Sequence, residues 1–557
     1  MGRSICRLFA SVCALLLLAA VPAHAATSIA SVEVLLDDGT NGIEGGAAVA
    51  VSSPDGGFVY VASLQSDGVA VFSRNPSTGK LTFVERETNL GTLSGPLANP
   101  QALALSPAGG AHLYVAARSG VAVFDRDTGT GLLTFLQQQE NNVGGVTDLA
   151  GAFGIAVSSD GEHVYVAAEQ DDSIGIFDRD TGTGLLTYVT TLVDPTHLDR
   201  PNGLIVSPDG LNVYVANAGG DSLAVYSRNL VSGLLTWLET QQDNVGGVDG
   251  LDNAVSVAIS PNGASVYVVG ESDDGIAVFS RNLITGALAF FEYELGDDRF
   301  VRQMSAIAVS ADGTKVFAAG RRRDAVVLFN RNTSSGALDY VAAEKLLGAF
   351  SLALSPDDLH IYSGTRGELG QLGVFRLSDV ACSPSPMLGC AVPSQAGASL
   401  VFFKDKSPDD GDTFLWKWNK GPVTLLSSFG DPATTTNDLI VCAYEDTLVT
   451  PTLIFQGRLL AGGACAAKPC WKTTSIGYKY KDKDRSPDGL LTAGLNSGSV
   501  PGQAKIKVKG KGSLLSMPTF PLTTPVIVQL QRTGACWETT HSTPIITTGD
   551  QFKSKDN

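Results

Sequence analysis

Short apolar strands recur along residues 46–380 at a regular spacing. Each unit contains an apolar run that closes on an aromatic residue, and these aromatic residues lie 45 to 54 positions apart. They are Tyr60, Tyr114, Tyr165, Tyr214, Tyr267, Phe317 and Tyr362. A period near 50 with several strands per unit is typical of a β-propeller, whereas helical solenoids repeat at shorter intervals. The pattern predicts an all-β fold with seven blades.

The turns within each unit predict four strands per blade. In the fourth unit a Ser-Pro-Asp-Gly turn at residues 207–210 follows the innermost strand, and such residues favour tight turns. The seventh unit lacks a fourth strand before the composition changes near residue 380. Residues 29–36 supply a spare strand at the other end of the chain. We expect it to close the ring, since closure removes both open sheet edges.

The first 25 residues have the order of a secretory signal peptide. Arg3 and Arg7 precede an apolar run over residues 8–21, which ends in Ala-His-Ala at 23–25. We expect export to the periplasm or the extracellular space. No later apolar run reaches the 18 residues that a transmembrane helix needs, so no transmembrane anchor is expected.

The cysteines that follow the predicted signal peptide all lie in the last third of the chain. They are Cys382, Cys390, Cys442, Cys465, Cys470 and Cys536. An even set in one exported segment predicts three disulfides, with 15 connectivities open.

Charge separates the chain into two parts. Residues 26–380 hold 19 Lys and Arg against 42 Asp and Glu, whereas residues 381–557 hold 18 against 14. We therefore predict a propeller domain over 26–380, a linker over 381–395 and a disulfide-bonded β-sandwich-like domain over 396–557. Residues 504–510 alternate apolar side chains with lysine, which indicates a strand with one basic face. We interpret the Lys505–Lys511 face as solvated, with contact to an acidic surface polymer as the alternative.

The net charge of −17 argues against nucleic acid as a partner, because phosphate binding needs a clustered basic face. We expect a monomer that meets a small polar ligand or an extracellular or envelope partner. No cofactor is predicted; the acidic loops are interpreted as turns, with calcium binding as the alternative. Asp243, Asp249 and Asp252 are the candidate calcium ligands, because their acidic, Gly-rich loop offers several oxygen atoms.

The loops between the second and third strands of the blades form one face of the propeller. The candidate functional residues are those on this face that differ from one repeat to the next. The position four residues after each repeat aromatic varies in charge. Its residues are Leu64, Arg118, Glu169, Ala218, Glu271, Arg321 and Arg366. We interpret these charges as solvated loop residues, with a polar-ligand site as the alternative, in which the two glutamates act as acid/base groups and the arginines hold an anion. His197 and Asn217 are further ligand-binding candidates near this face.

Residues that keep the repeat are expected to be structural. The repeated arginine at the opposite turn should pair with neighbouring acids, and the histidines two residues before three of the aromatics should be separate surface residues. These positions are Arg74, Arg126, Arg179, Arg228, Arg281 and Arg331, and His112, His163 and His360. No three-histidine metal site and no histidine-based triad is therefore predicted.

The Ser-Pro-Asp-Gly, Val-Tyr-Val-Ala and Phe-x-Arg-x-x-x-x-Gly-x-Leu-Thr-Phe runs resemble the lactonase-like seven-bladed propellers and the wider Tyr-Val-Thr-Asn repeat group, over residues 29–380. That resemblance implies a propeller fold and lactone hydrolysis. The family carries Pro-His-x-His before Asp-Leu-Gly-x-Asp in one blade, but this chain has Asn202 after Pro201 and Asn217 in place of the first Asp. In the next blade the family carries an Arg-His pair and an Asn-Glu pair. Of these four residues, this chain has only the glutamate, Glu271. The C-terminal part resembles Cys- and Lys-rich tails of exported bacterial proteins that have no known activity.

These departures favour an exported binding or interaction module. The alternative is a hydrolase of lactones or related small esters at the channel mouth, with Glu271 or Glu169 as base and Arg118, Arg321 or Arg366 on the developing oxyanion. A purely structural spacer is the third interpretation.

Overall fold

The computed structural model describes residues 28–557 with interruptions. Outside the description are residues 77, 89–94, 96, 108, 296–302, 322–323, 368–369, 379–381, 384, 408, 434–437, 447–450, 462–463, 466–467, 484, 486–487, 533 and 556–557, and the side chains of residues 28, 30, 378, 409, 464, 465 and 468. The predicted signal peptide lies outside the described residues. Among those described, no helix is both long and apolar enough to cross a membrane.

Seven four-stranded antiparallel sheets form the propeller, which confirms the predicted fold. Strand β1 is Ser28–Leu36. Blades one to three are β2 (Gly46–Val51), β3 (Phe58–Ser63), β4 (Gly68–Arg74), β5 (Leu81–Thr88); β6 (Pro100–Leu105), β7 (His112–Ala117), β8 (Gly120–Arg126), β9 (Leu133–Glu140); β10 (Ala152–Val157), β11 (His163–Ala168), β12 (Ser173–Arg179) and β13 (Leu186–Val193). Blades four to six are β14 (Pro201–Val206), β15 (Asn212–Asn217), β16 (Ser222–Arg228), β17 (Leu235–Gln242); β18 (Ala254–Ile259), β19 (Ser265–Gly270), β20 (Gly275–Arg281), β21 (Leu288–Glu294); β22 (Met304–Val309), β23 (Lys315–Gly320), β24 (Ala325–Arg331) and β25 (Leu338–Lys345). Blade seven has β26 (Ala353–Leu354), β27 (His360–Gly364) and β28 (Gln371–Ser378).

The amino-terminal strand closes the ring. Strand β1 pairs antiparallel with β28 and becomes the outermost strand of the seventh blade, as the sequence predicts. The last blade is thus built from both ends of the propeller sequence, and neither end leaves an open edge.

The repeat aromatic holds successive blades together. In six blades its tyrosine hydroxyl accepts a hydrogen bond from the repeated arginine of the next blade and donates one to a glycine carbonyl there. The Tyr–Arg pairs are Tyr60–Arg126, Tyr114–Arg179, Tyr165–Arg228, Tyr214–Arg281, Tyr267–Arg331 and Tyr362–Arg74. Four of these arginines also form ion pairs with an aspartate of the preceding blade. The expected structural role of the repeated arginine is visible as this contact between blades.

The histidines of the repeat are buried, so their predicted surface position is wrong. His112, His163 and His360 are at most 5% exposed, and each ring contacts the guanidinium of a repeated arginine. Burial, together with the adjacent arginine charge, lowers the pKa of all three imidazoles, that of His360 to about 4. The rings act as neutral acceptors inside the blade contacts.

Two facing sheets form the C-terminal region. Its strands are β29 (Ser399–Lys404), β30 (Thr413–Gly421), β31 (Leu439–Asp446), β32 (Pro451–Leu459), β33 (Ala464–Cys465), β34 (Lys468–Pro469), β35 (Trp471–Thr474), β36 (Gly477–Lys481), β37 (Leu490–Asn496), β38 (Ala504–Lys511), β39 (Val526–Arg532), β40 (Ala535–His541), β41 (Pro544–Thr547) and β42 (Gln551–Ser554), with short 3-10 turns at Asp409–Gly411 and Leu426–Phe429. One sheet has the order β35-β36-β37-β38-β30-β29-β42-β41 and the other β32-β31-β39-β40, while β33 and β34 pair only with each other. Trp416, Trp418 and Trp537 lie in the core that joins the two sheets. This is the predicted sandwich.

Disulfides fasten the start of this region to the four-stranded sheet. Cys382 pairs with Cys442, and Cys390 pairs with Cys536. Cys470 is also disulfide-bonded, and the side chain of Cys465 is not among those described. The segment predicted as a linker therefore includes two residues bonded to β31 and β40.

Buried charges join the propeller to the C-terminal region. Arg458 of β32 contacts the Glu344 carboxylate of blade six at 2.6 Å, the Asp488 carboxylate at 2.8 Å, and the carbonyl of Ile29 in β1. Arg376 of β28 pairs with Asp438. The C-terminal region is thereby attached to the outer side of blades six and seven.

Candidate functional site

Two rings of residues surround one mouth of the central channel. The first ring occupies the position directly before the innermost strand, or five residues before it in blade seven, and the backbone has a positive φ there. Its residues are Gly45, Asn99, Gly151, Arg200, Asn253, Gln303 and Gly348. The second ring is the position four residues after each repeat aromatic. In most blades the second-ring amide donates to the first-ring carbonyl, as from Glu271 to Asn253 at 3.0 Å and from Arg321 to Gln303 at 3.0 Å.

Aspartates from neighbouring blades hold the first ring in place. The Asp172 carboxylate accepts from the Arg200 amide at 2.7 Å, and the Asp221 carboxylate accepts from the Asn253 amide at 2.8 Å. Such bonds fix a left-handed backbone that glycine adopts freely but arginine rarely adopts. The Arg200 side chain is therefore presented to the mouth by a costly local conformation.

A cavity of about 450 Å³ opens at this mouth. Glu169, Arg200, Asn253, Glu271 and Arg366 line its polar rim. Below them the innermost strands supply small apolar and hydroxyl side chains together with Gln101, Phe153 and Asn202. At the other end of the channel a space of about 520 Å³ is lined by apolar, serine, proline and glycine residues such as Ser106 and Pro107. The first mouth is therefore the candidate site, because its lining contains titratable groups.

The two glutamates at the mouth have different partners. The Glu169 carboxylate is held by Arg200 at 2.5 Å in an ion pair. The Glu271 carboxylate accepts a hydrogen bond from the Asn253 side-chain amide at 3.0 Å and lies 3.5 Å from the Arg321 guanidinium. Glu271 is thus oriented by a neutral donor and remains only loosely paired with a cation.

Two guanidinium groups at the mouth have no carboxylate within ion-pair distance among the described residues. Arg366 lies over the Phe350 ring, 4.7 Å from its centroid, and burial with the nearby Arg321 charge lowers the pKa of Arg366. Arg118 lines an adjoining space of about 250 Å³ together with Glu169 and Arg366. The predicted positions Arg118, Glu169, Glu271, Arg321 and Arg366 are therefore brought together around one opening.

His197 and Asn217 lie away from the cavity lining. The His197 ring stacks on Trp237 at 4.1 Å and its Nδ1 contacts the Asp194 carboxylate at 2.9 Å. The Asn217 side chain is buried and donates to the His197 carbonyl at 3.0 Å. Both residues shape the loop before blade four instead of facing the channel.

The acidic loop after blade four brings three carboxylates together. Oxygen atoms of Asp243, Asp249 and Asp273 lie within 4.8 Å of one another. Asp252, the third predicted ligand, is not in this group; its amide donates to Asp273 at 2.6 Å instead. Burial and the neighbouring aspartates raise the pKa of Asp273 to about 6. Calcium binding here stays an untested alternative.

A model of the lactonase family of seven-bladed β-propellers matches residues 20–148, 140–249 and 240–353 of the chain. These segments together span more than half of it. The chain belongs to the seven-bladed β-propeller lactonase family.

Relatives of this lactonase-family chain carry sugar-lactonase names. It is 36% identical over 106 residues to a 6-phosphogluconolactonase of Bacillus subtilis (strain 168), a match that covers 19% of this chain and 28% of the relative's length. A putative 6-phosphogluconolactonase of Bacteroides fragilis is similar in structure at 20% identity, with a TM-score of 0.44 over 55% of this chain and 85% of that one. A periplasmic gluconolactonase of Pseudomonas aeruginosa is similar at 20% identity, with a TM-score of 0.45 over 54% and 85%.

Sequence reasoning missed Arg200 and Asn253 in this lactonase-family site. Both stand one residue before an innermost strand, where blades one and three have glycine. A non-glycine residue at a position that favours glycine was the available signal.

Proposed function

We propose that the channel mouth hydrolyses small polar lactones. The observation that carries this proposal is the Glu271 carboxylate, oriented by Asn253 at 3.0 Å beside a cavity that the Arg366 guanidinium also lines. Family membership favours this hydrolase over the binding module that the missing histidines suggest.

Glu271 would act as the general base. It takes a proton from a water molecule as the water oxygen attacks the lactone carbonyl carbon. The guanidinium groups of Arg321 and Arg366 stabilise the negative charge that develops on the carbonyl oxygen. The ring C–O bond then breaks, and the departing alkoxide recovers the proton from Glu271. Lactone and water become one hydroxy acid, and the enzyme returns to its starting state.

Glu169 has a positioning role in this scheme. Its carboxylate is ion-paired with Arg200, and this contact holds the Arg200 guanidinium on the cavity rim. Glu271 is the better base, because its partner Asn253 leaves it as the more weakly paired carboxylate.

The cavity and its charges suggest the kind of lactone. A volume of about 450 Å³ suits a small ring, and the polar rim suits hydroxyl groups. Arg118 and Arg366 offer cations to an anionic substituent, which fits the sugar-acid lactones named for the relatives.

We also infer an oxidising compartment as the place of action. The bonds Cys382–Cys442 and Cys390–Cys536 persist where thiols are not kept reduced. This fits the export signal predicted at residues 1–25.

A panel of γ- and δ-lactones of sugar acids tests the proposal, with release of the carboxylic acid followed by proton uptake into a weak buffer. The wild type should turn over at least one member, and Arg321→Ala should lower kcat/KM at least tenfold. Thermal stabilisation by a lactone without acid release would instead support the binding module.

A further inference from the structure

The outer face of the eight-stranded C-terminal sheet is covered by lysine. Its strands contain no aspartate or glutamate, and ten of their lysines alternate with buried residues and point to the same side. These are Lys404, Lys417, Lys472, Lys479, Lys481, Lys505, Lys507, Lys509, Lys511 and Lys553. We call this set the lysine face.

The lysine face holds like charges directly opposite one another. Lys417 of β30 is the cross-strand partner of Lys507 in β38, and Lys472 of β35 is the partner of Lys479 in β36. Like charges in such pairs destabilise a sheet. Along β38, Lys505, Lys507, Lys509 and Lys511 follow one another at about 6.8 Å, two residues of rise.

No ion pair offsets these charges among the described residues. The ion pairs of the C-terminal region involve Arg376 and Arg458 at the propeller contact, and none involves the lysine face. Acidic residues near the sheet, such as Asp405 and Asp550, lie in loops at the strand ends. The face is an array of ammonium groups that an extended polyanion would neutralise.

We propose that the lysine face binds an acidic polysaccharide, a linear chain that carries repeated carboxylates. Lysine supplies mobile point charges that suit a flexible array of anionic groups, because it does not impose the fixed bidentate geometry of the arginine fork. The charged positions lie on six of the seven strands from β35 to β42, since β37 has no lysine. A flexible chain can follow all of them across a surface that twists.

Two other polyanions fit the face less well. Adjacent strands of a sheet rotate by roughly 20–25°, so a flat lipid surface would contact only a few of these six strands at once. Single-stranded nucleic acid binds on exposed aromatic platforms. The tryptophans and tyrosines of these strands, including Trp416, Trp418, Tyr478 and Tyr480, are all buried. Among these strands the one aromatic side chain on the lysine face is Phe402, which is half-buried and cannot form a stacking platform alone.

The test is a titration of the full chain with polygalacturonate of about twenty residues, at several salt concentrations. The variant Lys505→Gln/Lys507→Gln/Lys509→Gln removes the centre of the face. The matched control is Lys80→Gln/Lys315→Gln/Lys345→Gln, which changes the net charge equally but alters the three lysines of the propeller. Melting temperatures of both variants verify that they are folded.

We expect the wild type and the control to bind with similar affinity, which falls as salt rises. The lysine-face variant should bind at least tenfold more weakly and with a smaller dependence on salt. Methyl-esterified polymer, which is neutral, should not bind. Equal binding by the two variants or equal binding of the esterified polymer would overturn the proposal. So would tighter binding of a thirty-residue oligothymidylate or of phosphatidylglycerol vesicles.

Discussion

Phe317 and Leu377 occupy, at the junction of blades six and seven, the places that a tyrosine and an arginine hold at the other six junctions. Both lie in one apolar cluster. At a typical junction the Tyr165 hydroxyl accepts from Arg228 Nε at 2.8 Å and donates to the Gly233 carbonyl at 2.8 Å. The two members of the pair have therefore changed together, from polar to apolar.

This relationship predicts strong coupling between tyrosine and arginine. Tyr165→Phe leaves buried partners unsatisfied and should cost about 2 kcal/mol of the free energy of unfolding. Arg228→Leu should cost about 3 kcal/mol, because it leaves Asp160 without its cation. In urea denaturation the double variant, which copies Phe317 and Leu377, should cost at least about 1 kcal/mol less than the sum.

Additive losses in that cycle would contradict the coupling. Phe317→Tyr serves as the reverse control. Its added hydroxyl would be buried without an arginine partner, so it should destabilise the protein.

Substitution of Arg200 should weaken substrate binding without lowering the stability of the fold. Arg200→Asn gives this position the residue that blades two and five have there, and asparagine tolerates the left-handed backbone better than arginine. We expect the melting temperature to stay the same or rise slightly, although the ion pair with Glu169 is lost. We expect KM for the lactone to rise at least threefold. A large loss of stability with unchanged KM would show that Arg200 is structural.

Asp273 predicts a pH-dependent stability. Burial and the neighbouring carboxylates raise its pKa to about 6 in the folded state, above the 3.8 of a free aspartate. The folded protein therefore binds a proton at Asp273 more tightly than the unfolded chain does. The stabilisation that protonation of Asp273 provides is lost as the pH rises through about 6. Asp273→Asn should stabilise the protein by about 1 kcal/mol at pH 8, a value reduced for partial exposure, and hardly at all at pH 4.

The third blade provides the control for this experiment. Asp171 makes the equivalent bond, accepting from the Ala150 amide at 2.6 Å, but Asn141 and Thr147 stand where the other loop has Asp243 and Asp249. Asp171→Asn should therefore show no comparable gain at pH 8. An equal gain in both variants would mean that crowding of charge is not the cause.

The sequence was sufficient to predict the blades because their signal is repeated. Each repeat aromatic fills an equivalent buried position, and the closing strand at residues 28–36 could be found from the strand missing in blade seven. Burial of His163 could not be read from the pattern, because its arginine partner lies in the next blade, 65 residues away. The ion pair between Glu169 and Arg200 could not be predicted for the same reason, because its two residues belong to different blades.

The site was predicted in part for a similar reason. Counting four residues from the aromatic located Glu271 and Arg366, since a fixed turn follows the second strand in each blade. Asn253 and Asp273 were missed, because their approach to Glu271 and Asp243 depends on how two loops fold against each other.

The most direct test of the hydrolytic site is the separate measurement of kcat and KM for Glu271→Gln and Glu169→Gln on the best lactone of the panel. Glutamine keeps an acceptor for the Asn253 amide but cannot take a proton. The account predicts that Glu271→Gln lowers kcat about a hundredfold or more with little change in KM. Glu169→Gln should act mainly on KM, because it loosens Arg200. Full kcat in Glu271→Gln would contradict the account.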